Sequence, residues 1–272
     1  MSTNGRVFIS AGFDDVRSRQ VRFLHEASRL GRVNVLLWSD TAIRTRDGKN
    51  PKFPQDERRY LVGAIRYVDE VMLVDGPVDP DRLPGLAGPA IWTVDSGSAS
   101  PAKQAYCEAN GIEYRVISDA QMAGFSPEPL PVVPPAGKKV VVTGCYDWFH
   151  SGHVAFFEEV AGLGDLYVVV GNDKNVAHLK GAGHPMFSEA ERRYVVQSVR
   201  FVRQALVSTG MGWMDAEPEI LALKPDIYAV NEDGDVPEKR EFCRKHGLEY
   251  RVLKRVPKAG LPRRESTKLR GF

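Results

Sequence analysis

The chain is written twice, so whatever fold one half adopts the other half must adopt as well. Residues 7–40 align without a gap on residues 140–173, at a constant offset of 133. Val7, Asp14, Ser18, Val21, Phe23, Glu26, Leu30, Gly31, Val35 and Asp40 meet identical residues at Val140, Asp147, Ser151, Val154, Phe156, Glu159, Leu163, Gly164, Val168 and Asp173. One residue of slippage later, Pro51, Phe53 and Glu57-Arg58-Arg59-Tyr60 match Pro185, Phe187 and Glu191-Arg192-Arg193-Tyr194. At an offset of 136, Pro101, Lys103, Cys107 and Gly111–Val116 answer Pro237, Lys239, Cys243 and Gly247–Val252. A match sustained over this length is a duplicated domain, not a solenoid of short units. Between the copies, Pro127, Pro129, Pro131, Pro134 and Pro135 forbid a regular ladder and give a stiff, extended connector. The organisation expected is therefore one domain at 1–125, a connector at 126–137 and a second domain at 138–272.

Each copy alternates apolar runs with helical periodicity. In the second copy the strands are expected at 139–143, 166–170, 204–208, 226–230 and 249–253, and helices near 152–162, 188–201, 215–222 and 237–246. That alternation means an α/β fold, a parallel sheet flanked by helices, with ligands at the carboxyl ends of the strands. Composition restricts the function. Of 272 residues 43% are hydrophobic and the formal net charge is +2, which gives no reason to propose nucleic acid or an anionic membrane surface. No apolar run reaches membrane-spanning length and the polar start does not resemble a signal peptide. Three scattered cysteines, Cys107, Cys145 and Cys243, suit a reducing cytoplasm.

The chemistry concentrates at His150-Ser151-Gly152-His153. Val140–Thr143 reads as a buried strand, Gly144-Cys145-Tyr146-Asp147 turns out of it, and Val154, Phe156, Phe157, Val160 and Leu163 recur at helical spacing. Two imidazoles on the opening turn of a helix stand beside free backbone N–H groups and the positive end of the helix dipole. The glycine between them lets a ligand approach the backbone. This is a place for phosphate. A metal-ligating set is not expected, because no second cluster of histidines or cysteines occurs at ligand spacing. The first copy carries Arg17, Arg19 and Gln20 where the second has His150, Gly152 and His153. Those arginines either keep a residual anion site or are solvated surface charges, and the first copy serves mainly as partner to the second.

Other candidates follow the same strand ends. Lys180, taken as a loop lysine, is placed to approach a transferring phosphate as a point charge. Ser188 to Glu191 resembles a helix N-cap with its capping box. Of Arg192 and Arg193 on the next turn, one reaches phosphate or both are structural, since Arg58 and Arg59 repeat them. Asn231 and Asp233 follow a strand, where carboxylates hold a ribose, a metal-bound phosphate or a cationic acceptor. Ser266 and Thr267 start a last short helix aimed at phosphate, in a tail absent from the first copy. Trp148 and Trp213 either wall an acceptor pocket or pack. Cys107 and Cys243 are core, and His25, His178, His184 and His246 are surface or packing residues.

Taken together, Gly144-Cys145-Tyr146-Asp147, His150-Ser151-Gly152-His153, Lys180-Gly181, Glu191-Arg192-Arg193-Tyr194 and Ser266-Thr267 resemble the nucleotidyltransferase superfamily. Within it they are most similar to the cytidylyltransferases that activate glycerol phosphate, phosphoethanolamine and phosphocholine. The resemblance implies two tandem Rossmann-like domains, the first degenerate. It also implies transfer of CMP from CTP, with Mg²⁺, to a phosphorylated small-molecule acceptor. His150, His153 and Lys180 would be catalytic. Gly144, Cys145, Tyr146, Asp147, Gly152, Arg192, Arg193, Asn231, Asp233, Ser266 and Thr267 would bind the nucleotide. Glu265 stands where the family has a small apolar residue, and Asn231 replaces a common glycine. Single-copy members work as homodimers, so the two copies are expected to form an internal pseudo-dimer, open to further association of like chains. The alternatives are an adenylyltransferase using ATP on a mononucleotide or phosphopantetheine-type acceptor, and a nucleotide-sensing pseudo-dimer with a silent site.

Overall fold

The computed structural model of the protein describes residues 5–86, 89–125 and 137–269. The chain divides into two compact units, residues 1–124 and 125–272. Apart from Gly137, the connector expected at 126–137 lies outside the described residues. The first unit runs β1 (Arg6–Ala11), α1 (Ser18–Ser28), β2 (Arg32–Trp38), α2 (Asp40–Asp47), α3 (Gln55–Gly63) and β3 (Glu70–Val74). It continues through β4 (Ile91–Asp95), α4 (Pro101–Asn110) and β5 (Glu113–Ile117). The second runs β6 (Lys139–Gly144), α5 (Ser151–Ala161), β7 (Asp165–Val170), α6 (Asp173–Lys180), α7 (Glu189–Gln197) and β8 (Val202–Val207). It ends with α8 (Glu217–Leu223), β9 (Ile227–Asn231), α9 (Pro237–His246) and β10 (Glu249–Leu253). Among the described residues no helix is long and apolar enough to cross a membrane.

Both sheets are parallel and have the same order, β3-β2-β1-β4-β5 and β10-β9-β6-β7-β8. The sequence offsets reappear as hydrogen-bond register. Arg6 pairs with Arg32 and Lys139 with Asp165, while Val7 pairs with Ile91 and Val140 with Ile227. The cores repeat in the same way: Phe8, Leu36, Trp92, Val94 and Cys107 cluster in one unit, and Val141, Val169, Tyr228, Val230 and Cys243 in the other. Val140, Val141 and Val142 are fully buried, as expected of a parallel strand covered on both faces. Gly31 and Gly164 are fixed by close approach, since a Cβ at either would lie 2.2 Å from the carbonyl oxygen of Gly5 or Lys138. In each sheet the winding direction reverses beside the first strand, between β1 and β4 and between β6 and β9. This is the switch point at which such sheets open a crevice.

The second-copy strands lie within two residues of their expected positions, but α6 and its twin α2 are helices that apolar periodicity does not announce. Each is eight residues long and polar. What makes them helices is the cap. Ser39 accepts from the Ala42 N–H at 3.0 Å, and Asn172 from the Asn175 N–H at 2.8 Å. Lys180 is therefore the last residue of a helix, not part of a loop.

A buried arginine ties each unit together above the sheet. In the second unit Arg192, its side chain 1% exposed, donates to the carbonyls of Phe187, Cys145 and Gly171 and to the Asp173 carboxylate, at 2.6–2.9 Å. In the first unit Arg58 does the same with Phe53, Gly12, Trp38 and Asp40. Removing a partner from such a buried set leaves uncompensated polar groups, and lysine cannot reproduce the planar fork. Arg192→Lys is expected to cost roughly 3 kcal/mol in the unfolding of the second unit, and Arg58→Lys a similar amount in the first. Urea unfolding followed by tryptophan fluorescence measures both; unchanged midpoints would show that the tie is dispensable.

Candidate active site

The site begins where β6 leaves its sheet. Tyr146 sits in the left-handed region at φ 54°, and its twin Phe13 at φ 47°, so the strained turn belongs to the fold of both units. The Tyr146 ring lies over Gly144, where a Cβ would come within 2.8 Å of the ring carbon Cζ. Any side chain at 144 would displace it. Asp147 then accepts from the Met186 N–H at 2.8 Å and the Phe187 N–H at 3.0 Å, and meets His184 Nδ1 at 3.3 Å. Asp14 accepts from Lys52 and Phe53 in the same way. The Asp147 carboxylate is thus committed to fastening the loop that leads into α7.

His150 is the N-cap of α5, and its Nδ1 accepts from the Gly152 N–H at 3.1 Å. The imidazole curls so closely over Gly152 that a Cβ there would lie 2.9 Å from its Cε1. His153 Nδ1 accepts from the His150 N–H at 3.3 Å, completing a reciprocal cap. In both rings Nδ1 is an acceptor, which leaves Nε2 to carry the proton. The two rings stack at 4.0 Å, and Phe149 stacks on His153 at 5.3 Å. Burial holds His153 well below the ordinary imidazole range, with His150, Arg255 and Lys180 adding to the effect. At neutral pH His153 is therefore a fixed, uncharged N–H donor.

His153 lines a cleft of about 390 Å³ at the carboxyl ends of β6 and β9. His150, only 2% exposed, stands behind it rather than on the wall. Gly144, Cys145, Tyr146, Asp147 and Gly152 form one side of the cleft, and Lys180, Asn231, Asp233 and Ser266 the others. The Ser266 hydroxyl donates to the Trp148 carbonyl at 3.3 Å, which docks the tail onto the turn. The Thr267 side chain lies outside the described residues. Arg192 and Arg193 do not line the cleft. The guanidinium of Arg192 is consumed by the tie described above, so its place in the motif is structural. Trp213, 61% exposed, stands at the mouth beside Met186 and Leu179, while Trp148 is buried against Phe187 at 5.7 Å. Among the described residues no group of three His, Cys, Asp or Glu side chains is gathered to hold a metal ion.

Several lining residues were not singled out for the site from the sequence. Arg255 pairs with Asp233 at 2.5 Å and donates to the Arg264 carbonyl at 3.0 Å. Asn175 holds the loop carrying Trp213 through both backbone groups of Gly212, at 2.7 and 3.1 Å. Lys239, Asp215 and His184 also line the cleft, His184 with its ring against Asp147. The signal for Arg255 was present in the duplication. Its twin at offset 136 is Asp119, a reversal of charge. In the first unit Arg19, the twin of Gly152, pairs with that Asp119 at 2.7 Å, and Arg17 pairs with Asp15 at 2.7 Å. The positions that hold cations and bare backbone in one unit are closed by internal ion pairs in the other.

Comparison with known proteins agrees with this geometry. The profile of the family described as Cytidylyltransferase-like matches residues 141–253. A protein named FAD synthase from Ferroglobus placidus is 38% identical over 120 residues, covering 43% of this chain and 75% of its own length. A second FAD synthase, from Archaeoglobus profundus, is 37% identical over 134 residues, covering 48% of this chain and 83% of its own. Bifunctional protein HldE from Azotobacter vinelandii is 32% identical over 123 residues, 43% of this chain and 25% of its own. With the paired histidines on α5, the fold of the second unit and these relatives in agreement, the chain belongs to the cytidylyltransferase-like family of nucleotidyltransferases.

Proposed function

We propose that the second unit transfers an adenylyl group from ATP to a phosphorylated small-molecule acceptor, releasing pyrophosphate. The observation that carries this reading is the pair of stacked imidazoles at the start of α5, each with Nδ1 occupied by a backbone N–H. In-line attack forms a bond from an acceptor phosphate oxygen to the α-phosphorus and breaks the α–β anhydride bond. Pyrophosphate departs with the electron pair. A phosphate monoester is already ionised, so no base is needed, and catalysis reduces to positioning and charge stabilisation. His153 supplies a donor of fixed orientation to the charge that develops on phosphate oxygens. Lys180 and Arg255 on the cleft, with Lys254, Arg263 and Arg264 along an adjoining groove, offset the triphosphate charge. Mg²⁺ enters as part of the nucleotide substrate, bound mainly by phosphates and water.

Adenylyl transfer is favoured over cytidylyl transfer by the two relatives named FAD synthase. The exposed Trp213, Met186 and Leu179 at the cleft mouth would seat a flat apolar ring, which makes flavin mononucleotide the first acceptor to try. Cytidylyl transfer is the second reading, supported by the family profile. The first unit, with its arginines closed onto Asp15 and Asp119, is read as a non-catalytic support.

Pyrophosphate release from ATP or CTP, measured against flavin mononucleotide, glycerol 3-phosphate, phosphoethanolamine, phosphocholine and phosphopantetheine, tests the reading. ATP with flavin mononucleotide is the expected productive pair. Turnover only with CTP would establish the second reading, and tight nucleotide binding without turnover would establish a silent site. His153→Ala is expected to lower turnover by roughly 10²–10³ with little change in folding. Arg17→Ala and Arg19→Ala should stay within about twofold of the parent. Because folding depresses the His153 pKa, the unfolded chain takes up this proton first as pH falls through about 6.5. Stability linked to His153 is thus complete above that pH and declines below it. An NMR titration in which the His153 ring protonates near pH 6.5 in the folded protein would contradict the neutral donor.

A further inference from the structure

One lysine–aspartate pair recurs in both units and has opposite states in the two. Lys103 and Lys239 are twins at offset 136, and Asp81 and Asp215 at offset 134. In the first unit the pair is shut: Lys103 Nζ lies 3.1 Å from Asp81 Oδ1, and the Ser100 hydroxyl donates to the same oxygen at 2.7 Å. In the second unit no carboxylate among the described residues lies within 4.0 Å of the Lys239 ammonium, which donates to the Gly234 carbonyl at 3.1 Å. Lys239 and Asp215 both face the cleft.

The open state is built in. Val236 replaces Ser100, removing the hydroxyl that helps hold the aspartate toward α4 in the first unit. Ser208 replaces Val74 and donates to Asp215 Oδ2 at 2.6 Å, fixing the carboxylate on the β8 side. The Asp215 backbone is fixed as well, because its carbonyl accepts from the Gly210 N–H at 2.9 Å. A Cβ at Gly210 would lie 2.6 Å from that oxygen. The other acids near Lys239 are engaged elsewhere, Asp233 by Arg255 and Asp235 by Arg240 and Tyr250. Burial pulls the lysine below its ordinary range while Asp215, Asp233 and Asp235 push it back, so the ammonium sits in a confined negative field.

We infer that Lys239 and Asp215 form a subsite for a hydroxyl-bearing carbon chain, either the ribose of the nucleotide or a polyol segment of the acceptor. The chemistry selects hydroxyls over ions. A phosphate placed between the two would face Asp215 and Asp233, and an amine would face Lys239. A hydroxyl accepts from the ammonium and donates to the carboxylate at once. The subsite deepens the nucleotidyl-transfer reading and rests on it, since both residues belong to the same cleft.

Calorimetric titration of the intact chain tests this without requiring turnover. Two ligand pairs are compared: ATP with 2′,3′-dideoxy-ATP, and ribitol 5-phosphate with ethyl phosphate. The parent chain is expected to prefer the hydroxylated member of one pair by roughly ten- to hundredfold. Lys239→Met and Asp215→Asn should each abolish that preference, and the pair that shows it identifies the source of the hydroxyls. No preference in either pair, or a preference that survives both substitutions, overturns the subsite. Thermal unfolding checks each variant, and if one melts early the comparison in the parent chain with the other variant decides. A chain that binds neither ATP nor CTP contradicts nucleotidyl transfer itself, while the ribitol pair still reads the subsite.

Discussion

The architecture of the site depends on a guanidinium held out of water. Arg192 gathers the turn after β6, the end of β7, the start of α6 and the loop before α7 onto one planar group. Burying a cation is costly unless its donors are satisfied, and here three carbonyls and a carboxylate satisfy them. The carbonyls matter as much as the acid, because they belong to strand ends and turns that would otherwise leave acceptors without partners above the sheet. Once that tie is made, the turn carrying Tyr146 and Asp147 has one position. The N-terminus of α5 is then presented to the crevice between β6 and β9. Arg58 makes the same tie in the first unit, where the histidines are absent. The tie is therefore a property of the fold, and the chemistry is added to it.

What is added appears as the difference between two copies built on one frame. Half of the reciprocal cap survives in the first unit, where the Gln20 side chain accepts from the Arg17 N–H at 3.0 Å in place of His153, while the Arg17 guanidinium has no acceptor to offer in place of His150. The imidazoles do not survive. Arg255 becomes Asp119, Gly152 becomes Arg19, and the two replacements close on each other. The Lys239–Asp215 gap becomes a direct ion pair between Lys103 and Asp81. The first unit thus closes both places with ion pairs, whereas in the second Lys239 faces the cleft and Arg255 lines it while paired with Asp233. Asp147 and Arg192 show the converse. Their contacts repeat in Asp14 and Arg58, and so describe folding.

The sequence made the fold legible because the strands are long apolar runs and the offset between copies is constant. The offset carries the register of one sheet onto the other, so that Arg6–Arg32 reappears as Lys139–Asp165. Helix α6 was not legible, since it depends on the Asn172 cap and on Glu189 receiving the Asp173 N–H at 2.8 Å, rather than on periodicity. Of the site, the residues local to the motif were readable because a strand, a turn and a helix start place them together. Arg255, Asn175 and Lys239 come from distant parts of the second unit, and only folding brings them to the cleft. The motif also could not tell which members point outward. His150 and Arg192 are buried and Arg193 lies away from the wall, while His153 faces the cleft.

In the proposed function one unit works and the other supports it, and the number of nucleotide sites per chain tests that most directly. Equilibrium dialysis of the full chain against radiolabelled ATP, and separately CTP, should saturate at one nucleotide per chain. That single site should persist when Arg17 and Arg19 are both replaced by alanine. Saturation at two per chain, or loss of the site on replacing those arginines, would contradict the division of labour between the two units.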